Sequence, residues 1–330
     1  MKIRQIDLLS LKRPFLVAEA AAIHLGNQRR AYELAEAGIA AGGDALTFQQ
    51  IDEKMLYAEL PELPVLPQDT IPWECLRRCS TLVHKARLAF SVCVTDIPSL
   101  REALNIGIDF IKIVSYDVTY FPFLRFCAST GLPILMSTGA STFKEIARAV
   151  DCMKEASGRL LLYHTDCGYP TASEEINLMR MLRLRECFHI PVGYCDHTNH
   201  GLSCLAATAL GANAIEKHFT LDRKIGGADH MVSLEPEEIK ELFGQIKETA
   251  RMLGDGSDTI AEGDRYRREN LRRSLALARN LVAGEIIQES DLIMLRPPTG
   301  LSWDDRDKVI GKKVKVDLPF RHLLQPQEVE

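Results

Sequence analysis

The chain has 330 residues, 46% of them hydrophobic and 26% charged, with a formal net charge of −5. That composition is ordinary for a soluble globular protein, and the length is enough for a large core plus a small companion domain. It argues against nucleic acid and anionic membrane surfaces as partners, because neither attracts an acidic surface, and no run approaches the roughly 20 apolar residues of a membrane span.

In chain order, residues 1–6 are polar, and the apolar run at 15–22 is short and holds Glu19, so no export signal is read. The nine cysteines are odd in number and are expected to be reduced thiols in the cytoplasm. Cys75 and Cys79 stand four apart and can share a helix face, but without a second pair they do not suggest zinc. Apolar, β-branched runs at 15–21, 44–49, 88–94, 110–115, 133–139, 160–166, 191–197 and 214–220 read as strands. Amphipathic stretches at 30–41, 97–104, 121–129, 142–156, 175–184 and 201–210 read as helices between them. Short buried strands alternating with helices imply parallel pairing through right-handed crossovers, and eight such units fit a (β/α)8 TIM barrel. No GxGxxG follows the first strand, which removes the dinucleotide alternative.

The barrel is expected over 1–256, a polar linker with some helix over 257–273, and a compact β-rich module over 274–330. In the module, short strands are expected at 275–278, 282–285, 292–295 and 314–317. Arg267, Arg268, Arg272 and Arg273 read as a solvated helix face rather than a phosphate site.

Each barrel strand ends in something polar: Glu19, Thr47 with Gln49, Cys93, Ser115, Ser137 with Thr138, His164 to Cys167, Cys195 to His197, and His218. One such residue is easily a satisfied core group. Eight strand ends polar together point to an active site, which barrels build at that end. His197 and His218 close consecutive strands, and two neighbouring imidazoles near carboxylates suit Mn, Fe, Co or Zn acting as a Lewis acid on a carbonyl oxygen. Asp229 lies in the flexible Gly226-Gly227-Ala228-Asp229-His230 segment, where it can orient a substrate hydroxyl.

The stretches Val192-Gly193-Tyr194-Cys195-Asp196-His197-Thr198 and Glu216-Lys217-His218-Phe219-Thr220-Leu221-Asp222 resemble the sialic acid synthase (N-acetylneuraminate synthase) family. So do Lys112-Ile113-Val114-Ser115, Ser137-Thr138-Gly139, Tyr169-Pro170 and Ser233-Leu234-Glu235-Pro236. Ala283-Gly284-Glu285-Ile286 and Leu295-Arg296-Pro297-Pro298-Thr299-Gly300 are similar to that family's antifreeze-like (SAF, β-clip) cap. The resemblance implies condensation of phosphoenolpyruvate with an N-acetylated aminosugar aldehyde, giving a nine-carbon 2-keto acid and phosphate. It implies a divalent metal on His197 and His218, Mn(II) first, with Mg(II) or Co(II) as alternatives. Glu19, Asp117 and Asp229 would be the catalytic acids. Lys112 and Ser115 would contact phosphoenolpyruvate, and Gln49, Tyr169 and Arg296 the sugar side. Arg296 would reach the barrel of a partner chain, making a domain-swapped homodimer.

The sequence departs from the family pattern on the donor side. Thr47 stands where the family carries lysine, and Cys93, Cys167 and Cys195 replace a threonine, an asparagine and a serine. Thiols are weak donors, and threonine cannot balance phosphate charge. Asp117 is a shortened glutamate, Ile23-His24-Leu25-Gly26 replaces Asn-His-Asn-Gly, and the loop after strand two is short and lacks asparagine. Two alternatives therefore stay open: a related metal-dependent aldol-type enzyme with another donor or acceptor, and a catalytically silent sugar-binding homologue. The three cysteines are read as polarisable fillers in preference to a soft-metal or nucleophilic site.

Overall fold

A short hairpin, β1 (Lys2–Ile3) and β2 (Ile6–Asp7), precedes the eight expected strands, all of which form. These are β3 (Phe15–Ala21), β4 (Ala45–Gln49), β5 (Ala89–Cys93), β6 (Ile111–Ile113), β7 (Ile134–Ser137), β8 (Leu160–His164), β9 (Val192–Asp196) and β10 (Ala214–His218). The computed structural model describes residues 1–56, 58 and 70–330, with Glu53 by its backbone alone. The strands pair in parallel in the order β5-β4-β3-β10-β9-β8-β7-β6, and β3 lies beside β10 as barrel closure requires. The remaining seam, between β5 and β6, is bridged by the Asp109 N–H to the Phe90 carbonyl at 2.8 Å and the Ser91 hydroxyl to the Phe110 carbonyl at 2.7 Å. The Cys93 thiol reaches the Lys112 carbonyl across the same seam at 3.6 Å.

The strands are buried along both faces, so their outward and inward residues answer to different neighbours. Outward side chains such as Leu16, Phe48, Val92, Ile113, Met136 and Ile215 pack under the helices. Inward ones form layers, with Phe15, Ala45, Ala89, Phe110, Leu135 and Leu161 low in the barrel, where Ile3 and Leu8 join them. Two residues further along most of these strands the inward layer turns polar (Thr47, Ser91, Lys112, Ser137, Tyr163), and on β3 it does so at Glu19 after Val17, which is where the site begins.

The helices are α1 (Gln28–Ala40), α2 (Glu53–Leu56), α3 (Trp73–Lys85), α4 (Ile97–Asn105), α5 (Phe121–Ser129), α6 (Phe143–Cys152), α7 (Met179–Phe188), α8 (Leu202–Ala209), α9 (Ala228–Val232) and α10 (Pro236–Leu253). Their starts follow from their caps: Asn27 accepts from the Arg30 N–H, Asp96 from the Ser99 N–H, and Thr142 forms a capping box with Glu145. The helix expected from 175 instead begins at Met179, because the Ile176 carbonyl is taken by the buried His164 ring, 2.7 Å away. Cys75 and Cys79 do share a buried face of α3, where their thiols approach the carbonyls of Gln28 and Ala31.

Contacts divide the chain into Met1–Gly254 and Asp255–Glu330. In the second unit α11 (Glu262–Leu271) is exposed on every side. β11 (Ser274–Leu277) and β12 (Leu292–Leu295) then pair antiparallel over a core of Leu275, Leu277, Leu281, Ile287, Val314 and Leu324. The strands expected at 282–285 and 314–317 do not form. The first is a turn in which the Glu285 N–H returns to the Val282 carbonyl, and the second offers only isolated bridges such as Val314 to Val329. Among the described residues, no helix is long and apolar enough to cross a membrane.

Candidate active site

At the C-terminal mouth of the barrel lies a cavity of about 220 Å³ lined by residues of all eight strand ends. Glu19, Gln49, Asp117, Lys112, Ser115, Tyr169, His197, His218 and Asp229, all singled out from sequence, line it together. Strand register explains part of this gathering: His218 stands opposite Glu19, Glu19 opposite Thr47, and Gln49 opposite Cys93. Arg296 is placed separately, exposed in the second unit just beyond β12. The loop after the second strand falls largely on 57 and 59–69, outside the described residues.

The two imidazoles are neighbours, with ring centroids 5.2 Å apart. Tyr169 stacks on His197 at 4.4 Å and meets His218 edge-on at 6.2 Å. His197 Nδ1 lies 2.5 Å from the Asp166 carbonyl, which can only accept, so that nitrogen carries the proton and Nε2 keeps its lone pair. Nε2 faces the Tyr169 hydroxyl at 3.2 Å. His218 Nδ1 is buried without a hydrogen-bond partner. Burial pushes the His197 pKa down to about 4, and burial together with His197 pushes that of His218 well below the ordinary value. Two neutral imidazoles with available lone pairs fit a divalent cation of borderline hardness. Among the described residues, no set of three or more His, Cys, Asp and Glu side chains is arranged to hold a metal unaided, so the histidine pair would leave coordination positions for other ligands.

Below the histidines, Lys112 Nζ and Glu216 Oε1 meet at 2.5 Å, with side chains 7% and 0% exposed. Burial opposes the ammonium charge, but the Glu216 carboxylate beside it raises the Lys112 pKa well above its ordinary value. Sequence inspection did not single out Glu216. Its signal was parity, since it lies two residues before His218 on the same strand face. Glu19 is held neutral: burial and then Glu216 raise its pKa well above the carboxylate range, and its Oε2 has no hydrogen-bond partner. Burial, with a contribution from Asp96, pushes Asp117 up to about 7. Ser115 holds the Gly139 N–H through its hydroxyl at 3.1 Å, and Ser137 Oγ is buried without a partner.

Cys93, Cys167 and Cys195 all line the cavity. Burial raises the Cys93 and Cys195 thiols well above the ordinary range, so both remain protonated, and Cys195 donates to Glu216 Oε1 at 3.1 Å. They serve as weak donors, consistent with the filler role expected of them. Thr47 differs from its expected placement. It is fully buried, its hydroxyl has no partner, and it lies one layer beneath the cavity lining, between Glu19 and Ser91 in register. His24 faces inward, its Nε2 3.2 Å from the Gln49 carbonyl, which ties the first loop to the second strand.

Comparison with known proteins supplies an independent finding. Residues 34–258 match the model of the NeuB family, and residues 272–320 that of the SAF domain. The chain is 33% identical to the N,N'-diacetyllegionaminic acid synthase of Legionella pneumophila over 96% of its own length and 94% of the relative's. It is 29% identical to a pseudaminic acid synthase of Campylobacter jejuni over 96% and 97% of the two chains. The crystal structure of the N-acetylneuraminic acid synthetase of Leptospira borgpetersenii in complex with citrate superposes with a TM-score of 0.73 at 27% identity, covering 79% of this chain and 95% of that one.

Proposed function

The chain belongs to the NeuB family, and on that premise we propose that it is a metal-dependent nonulosonic acid synthase. It would condense phosphoenolpyruvate with an N-acetylated aminosugar aldehyde, consuming water and giving a nine-carbon 2-keto acid and phosphate. The histidine pair carries this proposal: two neutral imidazoles, 5.2 Å apart, open onto a cavity that also holds a neutral carboxyl and a buried ammonium.

A divalent ion, Mn(II) first and Mg(II) or Co(II) as alternatives, would be held by His197 and His218 and would supply Lewis acidity at the aldehyde oxygen. The chain's own groups do the rest. Asp166 fixes the ring of His197 through its carbonyl, and Tyr169 stacks against that ring and closes the wall beside it. Glu19 keeps its proton and can pass it from Oε2 to the oxygen that becomes a hydroxyl as the new carbon–carbon bond forms. Lys112 sets the only lysine charge of the lining, among the described residues, toward the donor's phosphate or carboxylate. Ser115 and Ser137 offer hydroxyls there. Gln49, Asp117, Tyr169 and Asp229 frame the acceptor.

A second donor class is favoured by one observation. Lys112 already spends its charge on Glu216, and neutral thiols at Cys93 and Cys195 stand beside it, so a donor with fewer charges than phosphoenolpyruvate, such as a simple 2-oxo acid, meets less opposition. Incubation with Mn(II), phosphoenolpyruvate and a panel of N-acetylated aldoses separates the cases. Acceptor-dependent phosphate release with 2-keto acid formation is expected. Keto acid formed from pyruvate without phosphate release would establish the second donor class, and silence with every pair would end both.

A domain-swapped homodimer, with Arg296 reaching the partner's cavity, belongs to the same proposal. Large apolar side chains stay exposed on the loops and helix starts that follow the strands: Leu25, Tyr116, Met179 and Leu202 are 44%, 71%, 60% and 70% exposed, a rim suited to being covered. The nine cysteines are all free, in accord with a reducing compartment, and the cytoplasm is the proposed location.

A further inference from the structure

The second unit carries a cluster of charge that its own fold does not use. Arg273, Arg296 and Arg321 line one cleft together with Met294, Leu295 and Leu323. β11 and β12 pair with Ser274 opposite Leu295, so one step beyond that pair the register brings Arg273 and Arg296 to the same end of the ribbon. Like charges opposite each other across antiparallel strands are destabilising. Arg321 comes from the neighbouring segment, where its N–H donates to the Leu277 carbonyl at 2.8 Å. Its φ of 69° lies in the left-handed region, which non-glycine residues adopt at a cost.

Several other basic groups in this unit are paired. Arg279 binds Asp291 and Glu285, Arg306 binds Asp307, Lys308 binds Asp305, and His322 binds Glu328. None of the three cleft arginines takes part in such a pair among the described residues. Arg273 spends one N–H on the Met294 carbonyl at 3.3 Å, which positions the guanidinium without neutralising it. Three guanidinium groups lining one cleft whose lining holds no acid repel one another and together present more donors than a single carboxylate can accept. The group that matches them is a tetrahedral oxyanion with several acceptor oxygens and up to two charges.

We propose that Arg273, Arg296 and Arg321 form a phosphate-binding cleft in the C-terminal unit. Its ligand is a phosphate monoester on the acceptor sugar, or the free phosphate that the condensation releases. The cleft itself stands on the arginine geometry alone, whereas these two sources rest on the function proposed above. Arg296 thereby acquires two companions: Arg273, which the sequence placed on a solvated helix face, and Arg321, which no motif marked. α11 ends at Leu271, so Arg273 belongs to the approach to β11.

The test uses the full-length chain and inorganic phosphate, with binding followed by calorimetry and by the rise in thermal midpoint. Each lost guanidinium contact is expected to weaken phosphate binding by roughly tenfold to a hundredfold, so Arg273→Gln/Arg321→Gln should lose the phosphate-dependent rise. Without phosphate the double variant should melt no lower than the parent, because removing like charges relieves repulsion. Unchanged phosphate affinity in the double variant would place any binding elsewhere and overturn the proposal, as would no binding by the parent. An N-acetylhexosamine 6-phosphate then distinguishes the sources. Tighter binding than its unphosphorylated counterpart, lost in the double variant, assigns the cleft to the acceptor. Arginine-dependent binding of inorganic phosphate alone assigns it to the released product. Phosphate binding without condensation would leave the cleft standing while the synthase proposal fails, and condensation with no arginine-dependent binding would do the reverse.

Discussion

Replacing Glu216 by Gln tests the interior of the site, because stability and donor binding should move in opposite directions. Glu216 is fully buried, and among the described residues its one cationic partner is Lys112, 2.5 Å away and itself 7% exposed. Gln keeps the shape and can still accept from the Cys195 thiol, which now donates at 3.1 Å. What is lost is the charge that compensates a buried ammonium. Breaking a buried pair from one side typically costs about 3–5 kcal/mol, since the remaining charge is left without a counter-ion. The ligand-free E216Q protein should therefore unfold at lower urea concentration by an amount in that range. Phosphoenolpyruvate would then supply the missing anion, and Lys112 would no longer divide its charge between Glu216 and the donor. Its affinity should rise, and saturation should restore most of the loss, since a ligand at a hundred times its Kd adds about 2.7 kcal/mol. The assay is urea unfolding with and without phosphoenolpyruvate in both proteins. A stability loss below about 1 kcal/mol, in the range of an exposed pair, would refute the burial argument. A rise in the phosphoenolpyruvate Kd would refute the role given to Lys112.

His218→Ala should weaken Mn(II) binding by far more than the roughly 10–100-fold that losing a hydrogen-bond partner of a ligand costs, read by electron paramagnetic resonance of free Mn(II); an unchanged binding curve would remove His218 from the metal site. His197→Ala should likewise abolish turnover. Thr47→Lys, rising from beneath the cavity beside Glu19, should lower the KM for phosphoenolpyruvate by roughly tenfold to a hundredfold if donor charge is limiting; steady-state kinetics decide it, and an unchanged or higher KM counts against that cause. Asp117 gives a pH signature. Its pKa rises from 3.8 to about 7, so between those values the folded state holds a proton that the unfolded state has released. Stability from this group is complete below about pH 4 and is lost as pH climbs through 7, by at most about 4 kcal/mol. Asp117→Asn should therefore gain on the parent protein in urea unfolding as pH goes from 5 to 8, and parallel profiles would sink the assignment.

The barrel was readable because its strands are buried on both faces and its helices are not, so the apolar runs and the periodic stretches separate cleanly. Strand ends were readable for the same reason: a polar residue closing such a run has no place in an apolar layer. Groups one layer deeper were not. Glu216 lies inside a run that looks like ordinary strand, and only inward parity shows that it meets Lys112; Thr47 was visible as a polar strand residue, but its depth, opposite Glu19 and outside the cavity lining, was not. The Asp166 carbonyl, which sets the tautomer of His197, is main chain and leaves no mark in residue type. In the second unit the failure was different. Alternation over four residues at 282–285 and 314–317 is too short to tell a strand from a turn, and pairing there stops at single bridges.

Two buried ion pairs fix the strands that carry the histidines. β9 and β10 are adjacent, with Cys195 registered to Glu216 and Asp196 to Lys217. Inside the barrel Glu216 takes Lys112 and the Cys195 thiol. On the other face Lys217 Nζ donates to Asp196 Oδ2 at 2.7 Å, with both side chains wholly buried. Asp196 also accepts from Tyr194, Ser203 and Thr198; despite burial, Lys217 first, then the bonds from Thr198 and Ser203, hold its pKa below the ordinary value. A lone pair of buried charges seldom stabilises a fold over well-packed apolar residues, but a fully satisfied one fixes geometry. Here the outward pair clamps the strand segments from which His197 and His218 project inward, each histidine following directly on a clamped residue. The imidazoles are thus held from behind by charge and, at His197, by the Asp166 carbonyl and the stacked Tyr169 ring, where they line the cavity. Lys217, Asp196 and Asp166 all lie outside that lining, so lining residues other than Tyr169 and Cys195, which touch His197, can change without unseating the histidines.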